Sequence, residues 1–151
     1  MGKSITMHKY DKYPIENFIG KVLKKVKVGN DYVFFHTVDD KFIVMMHNQD
    51  CCERVEIEDI CGDIDDLLNT PIVQAFEKTN DKEHPADVNE KEIEYQDEDK
   101  SFTWTFYTFS TIKGTVTIRW YGTSNGYYSE RANLYIRKRK DDFTKSNRCF
   151  N

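Results

Sequence analysis

No apolar run in the sequence approaches the ~18 residues needed to span a bilayer. The first residues, with Lys3, His8, Lys9 and Lys12, hold no hydrophobic leader core. No membrane partner is expected, and a cytoplasmic location is. A glycine loop with a Walker-type lysine is missing, as is a nucleophile elbow, so neither a phosphate loop nor a serine hydrolase is signalled. The paired C-x-x-C spacing of zinc sites is missing too. Four cysteines, Cys51, Cys52, Cys61 and Cys149, come without a leader, so reduced thiols are expected rather than bridges. There is no internal repeat and no sign of a second domain. A chain of 151 residues fits one domain, able to bury roughly two thirds of its unfolded surface without staples.

What is present is charge, aromatic residues and alternation. The formal net charge is -4. It is unevenly spread, with an acidic stretch at 80–100, a basic run at 137–140 and lysines over 21–27. An acidic chain without clustered cations is a poor general nucleic-acid binder, because counterion release needs cations facing phosphate. Both tryptophans fall within residues 101–129, a dense run of Thr, Phe, Tyr, Val and Ile interrupted at Lys113-Gly114. These types suit a pleated, half-buried surface, so the stretch reads as two long strands at the centre of a sheet. Phe102, Trp104 and Phe106 share one side of the first strand, and Val116, Ile118 and Trp120 one side of the second. Residues 122–126 are expected to close the hairpin, with Trp104 and Trp120 in the core.

The rest of the chain organises around that hairpin. Residues 1–13 read as a flexible arm, 14–136 as a single β-rich domain and 137–151 as a basic, polar tail. Pro14 and Gly20 bracket one short helix that turns Ile15, Phe18 and Ile19 inward. Residues 21–28 read as a strand with Val22, Val26 and Val28 inward and lysines guarding an edge. Strands at 32–37 and 41–48 complete an antiparallel meander. In residues 54–60, Val55, Ile57 and Asp59 are expected on one side. Asp63 is expected to cap a helical turn holding Ile64, Leu67 and Leu68, which Pro71 stops. Residues 72–79 read as a strand, 80–100 as a mobile acidic loop and 127–136 as the closing strand. The class expected is α+β: a mainly antiparallel sheet of six or seven strands, open to strong curling, with one or two short helices.

Three constellations could carry chemistry. The first is Cys51-Cys52. Neighbours on an extended chain point to opposite faces, so the pair is not expected to share a metal ion. Asp50 and Glu53 beside it disfavour a depressed thiol pKa. One cysteine is expected in the core and the other at the border of a pocket. The second is the acidic set from Asp50 through Glu53, Glu56, Glu58, Asp59 and Asp63 to Asp65 and Asp66. It lacks the glycine and closing glutamate of a calcium loop and reads as a solvated surface. A carboxylate pair meeting in space remains an alternative. The third is Gly122-Thr123-Ser124-Asn125-Gly126-Tyr127-Tyr128-Ser129, where two glycines allow close backbone approach and the tyrosines offer flat stacking surfaces. Arg119, in mid-strand, needs a counter-anion, for which Glu53, Glu56 and Glu58 are the first candidates. His47 reads as a packing residue.

Taken together, several strings are specific. Asp50-Cys51-Cys52-Glu53, Ile57-Glu58-Asp59-Ile60-Cys61-Gly62-Asp63, Thr103-Trp104-Thr105-Phe106-Tyr107, Ile118-Arg119-Trp120-Tyr121-Gly122 and Ser124-Asn125-Gly126-Tyr127-Tyr128-Ser129 resemble a family of small proteins of unknown function. That family is encoded mainly in bacteriophage genomes and their hosts. The resemblance covers roughly residues 14–136; it implies phage or prophage origin and no activity. With it, the residues expected to bind are Asp50, Cys52, Glu53, Asp59, Asp63, Arg119, Tyr121, Ser124, Asn125, Tyr127 and Tyr128, gathered at one end of the sheet. No catalytic residue, metal or cofactor is assigned. The expected function is a non-enzymatic binding protein, a phage accessory factor for defence evasion by analogy. Its partner is a small polar or nucleotide-like ligand or a host protein. The alternatives are metal-assisted hydrolysis through Asp50, Glu53, Asp59 and Asp63, and a structural or assembly role.

Overall fold

A computed structural model describes residues 9–88 and 101–138. Among the described residues, nine strands form two antiparallel sheets. In chain order they are β1 (Tyr10–Lys12), β2 (Leu23–Val28), β3 (Tyr32–Thr37), β4 (Phe42–Met46), β5 (Arg54–Cys61), β6 (Gln74–Asn80), β7 (Ser101–Thr111), β8 (Gly114–Ser124) and β9 (Asn133–Arg137). The first sheet runs β1-β9-β4-β3-β2 and the second β5-β8-β7-β6. The antiparallel expectation holds; the single sheet and the strand count do not. No α-helix occurs among the described residues, so the α+β expectation is corrected. The segments expected to be helical are 3-10 turns of four residues each, Ile15–Phe18 and Ile64–Leu67. Each is too short to repay the cost of nucleating an α-helix.

Alternation explains how the sheets meet. Leu23, Val33, Phe35, Ile43, Met45 and Leu134 from the first sheet and Val55, Tyr107, Phe109, Val116, Ile118 and Trp120 from the second share one buried core. Phe18 reaches into it from the first 3-10 turn, with ring centroids 5.1 Å from Phe35 and 5.0 Å from Phe109. The β7–β8 hairpin is central in its sheet, as its composition implies. Its two tryptophans are both fully buried but on opposite faces. Trp120 lies between the sheets and donates to Met45 Sδ, while Trp104 pairs with Tyr121 on the outer face.

Two bulges account for the faces that alternation misreads. A register shift between Leu23 and Lys25 puts Leu23, and not Val22, on the core-facing side with Val26; Val28 shares that side opposite Val33 but, at the end of an edge strand, is 40% exposed. A second shift between Ile57 and Asp59 turns Asp59 to the outer face, opposite Arg119, while Ile57 stays inward opposite Trp120. The other departures are at boundaries. Tyr10–Lys12 of the presumed arm pairs with β9, and Tyr13 behind it is buried. β8 continues through Gly122 to Ser124, and β9 begins only at Asn133. Residues 81–88 of the presumed acidic loop fold back over the second sheet. The arm expected over residues 1–8, the acidic loop over 89–100 and the basic tail over 139–151 lie outside the described residues.

Candidate functional site

The topology brings the β4–β5 connection, the start of β7 and the β8–β9 connection to the same end of the sandwich. Arg54 opens β5 opposite Thr123, near the close of β8, and Ser101 opposes Ser124. There the chain buries two carboxylates. Glu53 is 4% exposed, and its oxygens accept the Asp50 amide at 2.8 Å, the Cys51 amide at 2.9 Å and His47 Nε2 at 2.6 Å. His47 Nδ1 faces the Arg131 carbonyl at 2.9 Å. His47 thus bridges the Glu53 carboxylate and the Arg131 carbonyl. Burial works to raise the Glu53 pKa. The Asp50 amide, His47 and the Cys51 amide outweigh it and hold the carboxyl down to about 2. His47 is the satisfied buried residue the sequence suggests, through a polar partner that the sequence does not show.

Glu130 is the second buried carboxylate, and nothing in the sequence singles it out. It accepts from Ser101 Oγ at 3.1 Å, from Thr103 Oγ1 at 2.8 Å and from Ser124 Oγ. Gly122 lies against its backbone: a Cβ there would stand 2.1 Å from the Glu130 carbonyl oxygen. The glycine of the Trp-Tyr-Gly string is therefore a close-approach position, and not part of a flexible loop.

The tyrosine turn is built on this base. Ser124 Oγ accepts the Gly126 amide at 2.9 Å, Asn125 Oδ1 accepts the Tyr127 amide at 3.0 Å, and Gly126 takes a φ of 95°. Ser124, at 2% exposed, is a turn-builder with no open face for a ligand. Tyr127 is 88% exposed, and Tyr128 lies beside it with ring centroids 6.2 Å apart. The Tyr128 phenol pKa is raised, with the Cys51 thiol as its largest cause. His47, between the Glu53 carboxylate and the Arg131 carbonyl, ties the Asp50–Glu53 segment to the connection that carries the tyrosine turn. Cys51 and Cys52 are both exposed, which corrects the expectation of one core cysteine. Their sulfurs stand 2.6 Å apart, because the backbone bends there instead of running extended.

The remaining expected residues lie elsewhere. Asp59, Arg119 and Tyr121 sit on the outer face of the second sheet. Arg119 donates through Nε and Nη2 to Asp59, both at 2.5 Å, and through Nη1 to both Asp87 oxygens at 3.0 Å. This replaces the glutamate partners expected for it. The Asp87 carboxyl is pulled below its ordinary range by the Arg119 hydrogen bonds. His84 stacks on Phe102 with centroids 4.1 Å apart, and its Nδ1 accepts from Trp104 Nε1 at 3.1 Å. Residues 81–88 thus form a strap that completes the burial of Trp104. Asp63 lies at the far end of β5, where it caps the second 3-10 turn by accepting the Asp65 amide at 3.0 Å. An eight-residue strand spans about 26 Å, so Asp63 cannot join Asp50 and Glu53. Among the described residues, no group of three or more His, Cys, Asp or Glu could hold a metal ion. Nor is any helix among them long and apolar enough to cross a membrane.

Comparison with known proteins adds one match. A family model described as "Domain of unknown function (DUF7448)" matches residues 16–134. No curated protein and no solved structure matches.

Proposed function

The chain belongs to the DUF7448 family, and we propose that this member is a non-enzymatic binding protein whose ligand surface is the tyrosine turn joined to the Asp50–Glu53 segment. The observation that carries this reading is His47, which bridges the Glu53 carboxylate and the Arg131 carbonyl and so joins the two segments, while Tyr127 stays 88% exposed. A ring held in water by a turn braced at Ser124, Asn125 and Gly126 is prepared to stack without further ordering, which lowers the entropic cost of binding. The occupant is a small polar ligand with a flat ring, of the nucleotide-like class, or a ring-bearing segment of a host protein. Asp50, with its side chain in an exposed residue, adds a carboxylate at the rim. The resemblance of the motif strings to a phage-encoded family is what suggests an accessory factor acting inside a host.

The four carboxylates of the hydrolytic alternative are not assembled. Glu53 has both oxygens committed to its own loop, and Asp59 and Asp63 lie elsewhere. The test is titration of the full chain with nucleoside mono-, di- and triphosphates, followed by affinity capture from a host lysate. Tyr127→Ala is the paired variant, since an exposed ring can be removed without disturbing the core. A bound species that weakens about tenfold or more in Tyr127→Ala supports the reading, as base–aromatic stacking is worth roughly 1–3 kcal/mol. Absence of any Tyr127-dependent binding in both arms overturns it.

A further inference from the structure

We propose that Cys51 and Cys52 form a redox-closing vicinal dithiol, a site that two-electron oxidation converts reversibly to a Cys51–Cys52 disulfide. Adjacent cysteines on an extended strand point to opposite faces and stay independent. Here the backbone is held in a bend from both sides. The Cys51 amide donates to Glu53 Oε1 at 2.9 Å, and the Cys51 carbonyl accepts from Gln49 Nε2 at 3.1 Å. Gln49 Nε2 also donates to the Glu53 carbonyl at 2.7 Å, and the Asp50 amide donates to Glu53 Oε2 at 2.8 Å. The buried Glu53 carboxylate is thus the anchor of a turn whose two sulfurs face solvent 2.6 Å apart. The reacting atoms are brought together before any oxidant arrives, which is the condition for a fast intramolecular step.

The chemistry balances with a hydroperoxide as oxidant. One thiolate attacks the peroxide oxygen, the O–O bond breaks, and a sulfenic acid and an alcohol (water, from hydrogen peroxide) are formed. The neighbouring thiol then attacks the sulfenic sulfur; the S–S bond forms and a second water leaves with the thiol proton. The adjacent Cys51 thiol, and to a smaller extent Glu53, disfavour the Cys52 thiolate, so the first step is not accelerated, whereas the second is favoured by proximity. Adjacent Cα atoms are about 3.8 Å apart, below the usual ~4.4–6.8 Å of disulfides, so the closed form is strained and a monothiol reductant reopens it. That is the behaviour of a switch, not of a structural bridge. The inference concerns only the two sulfurs, and a chain that binds no ligand can still close them.

The experiment uses the full chain carrying Cys61→Ser and Cys149→Ser, with the unsubstituted chain in parallel. After reduction and desalting, each is exposed to one equivalent of hydrogen peroxide and analysed by intact mass, maleimide labelling and peptide mapping. The expected result is a monomer lighter by two hydrogens. In the double variant, labelling falls from two thiols to none and returns with dithiothreitol. The map should place the link between Cys51 and Cys52 in both chains, and Cys52→Ser should give oxygen adducts or dimers instead. Sulfinic or sulfonic products in the parent, intermolecular dimers only, or two thiols that stay labelled overturn it.

Discussion

At the scale of the residue, Glu53 is the side chain on which the candidate site depends. The sequence places it among acidic residues, where a solvated carboxylate is the reasonable reading. The fold buries it and supplies two amides and His47 as donors. Its folded pKa of about 2 lies below the ordinary 4.5, so ionised Glu53 contributes stability that is fully present above about pH 5. That stability fades as pH falls toward 2, because the unfolded chain then binds a proton that the folded chain still refuses. The size of the shift sets an upper bound of about 3 kcal/mol. Urea unfolding of the parent and Glu53→Gln across pH 2–7 measures it. The parent should lose this increment on acidification and the variant should not; parallel pH profiles would refute the assignment. Glu130 shows the limit of reading residues singly, since its three hydroxyl partners come from β7 and β8 and its own neighbours, Ser129 and Arg131, give no hint of burial.

At the scale of the element, the strands were legible and their faces only partly so. Period-2 alternation groups the side chains of β7 and β8 by face, but the face of β7 that enters the shared core carries Tyr107 and Phe109 and not Trp104 as expected, while β6 is a strand as expected. The bulges at Leu23/Lys25 and Ile57/Asp59 leave no mark in composition, yet each inverts everything downstream of it. Asp59 reaches Arg119 only because of the second. The 81–88 strap was illegible for another reason: its acidic, polar residues look solvated until the sheet supplies Arg119, Trp104 and Phe102 as partners. Removing the clamp by Asp87→Asn should therefore loosen the strap while leaving both sheets intact. The indole N–H resonances provide the measurement. The Trp104 N–H, donated to His84, should exchange with solvent several-fold faster in the variant, while that of Trp120, donated to Met45, serves as the internal control. Equal acceleration of both would point to global destabilisation, and no change in either would show that the Arg119–Asp87 pair does not hold the strap.

At the scale of the whole molecule, the question is what makes two sheets one cooperative unit. The two connections between them, β4–β5 and β8–β9, lie at one end of the sandwich, so what unites the sheets along their length is the shared core. Phe18 occupies a special place in it, because it belongs to neither sheet. It stands on a 3-10 turn and packs edge-on against Phe35 of one sheet and Phe109 of the other, with Tyr13 closing the group at 5.2 Å. The turn is fixed from outside by the Gly20 amide donating to the Ile72 carbonyl at 2.7 Å and the Ile72 amide donating to the Lys21 carbonyl at 2.8 Å, so the ring cannot simply withdraw. Truncating it leaves a cavity at the junction, and a buried phenylalanine lost in this way costs about 3–5 kcal/mol. Phe18→Ala should therefore lower the urea midpoint with an unchanged slope. Trp120 fluorescence, from the second sheet, and hydrogen exchange of the β3 amides, from the first, should report the same free-energy loss. Were the β3 amides to open at lower free energy than Trp120 reports, the sheets would be separable units, and the aromatic group around Phe18 would be a local contact within a less cooperative molecule.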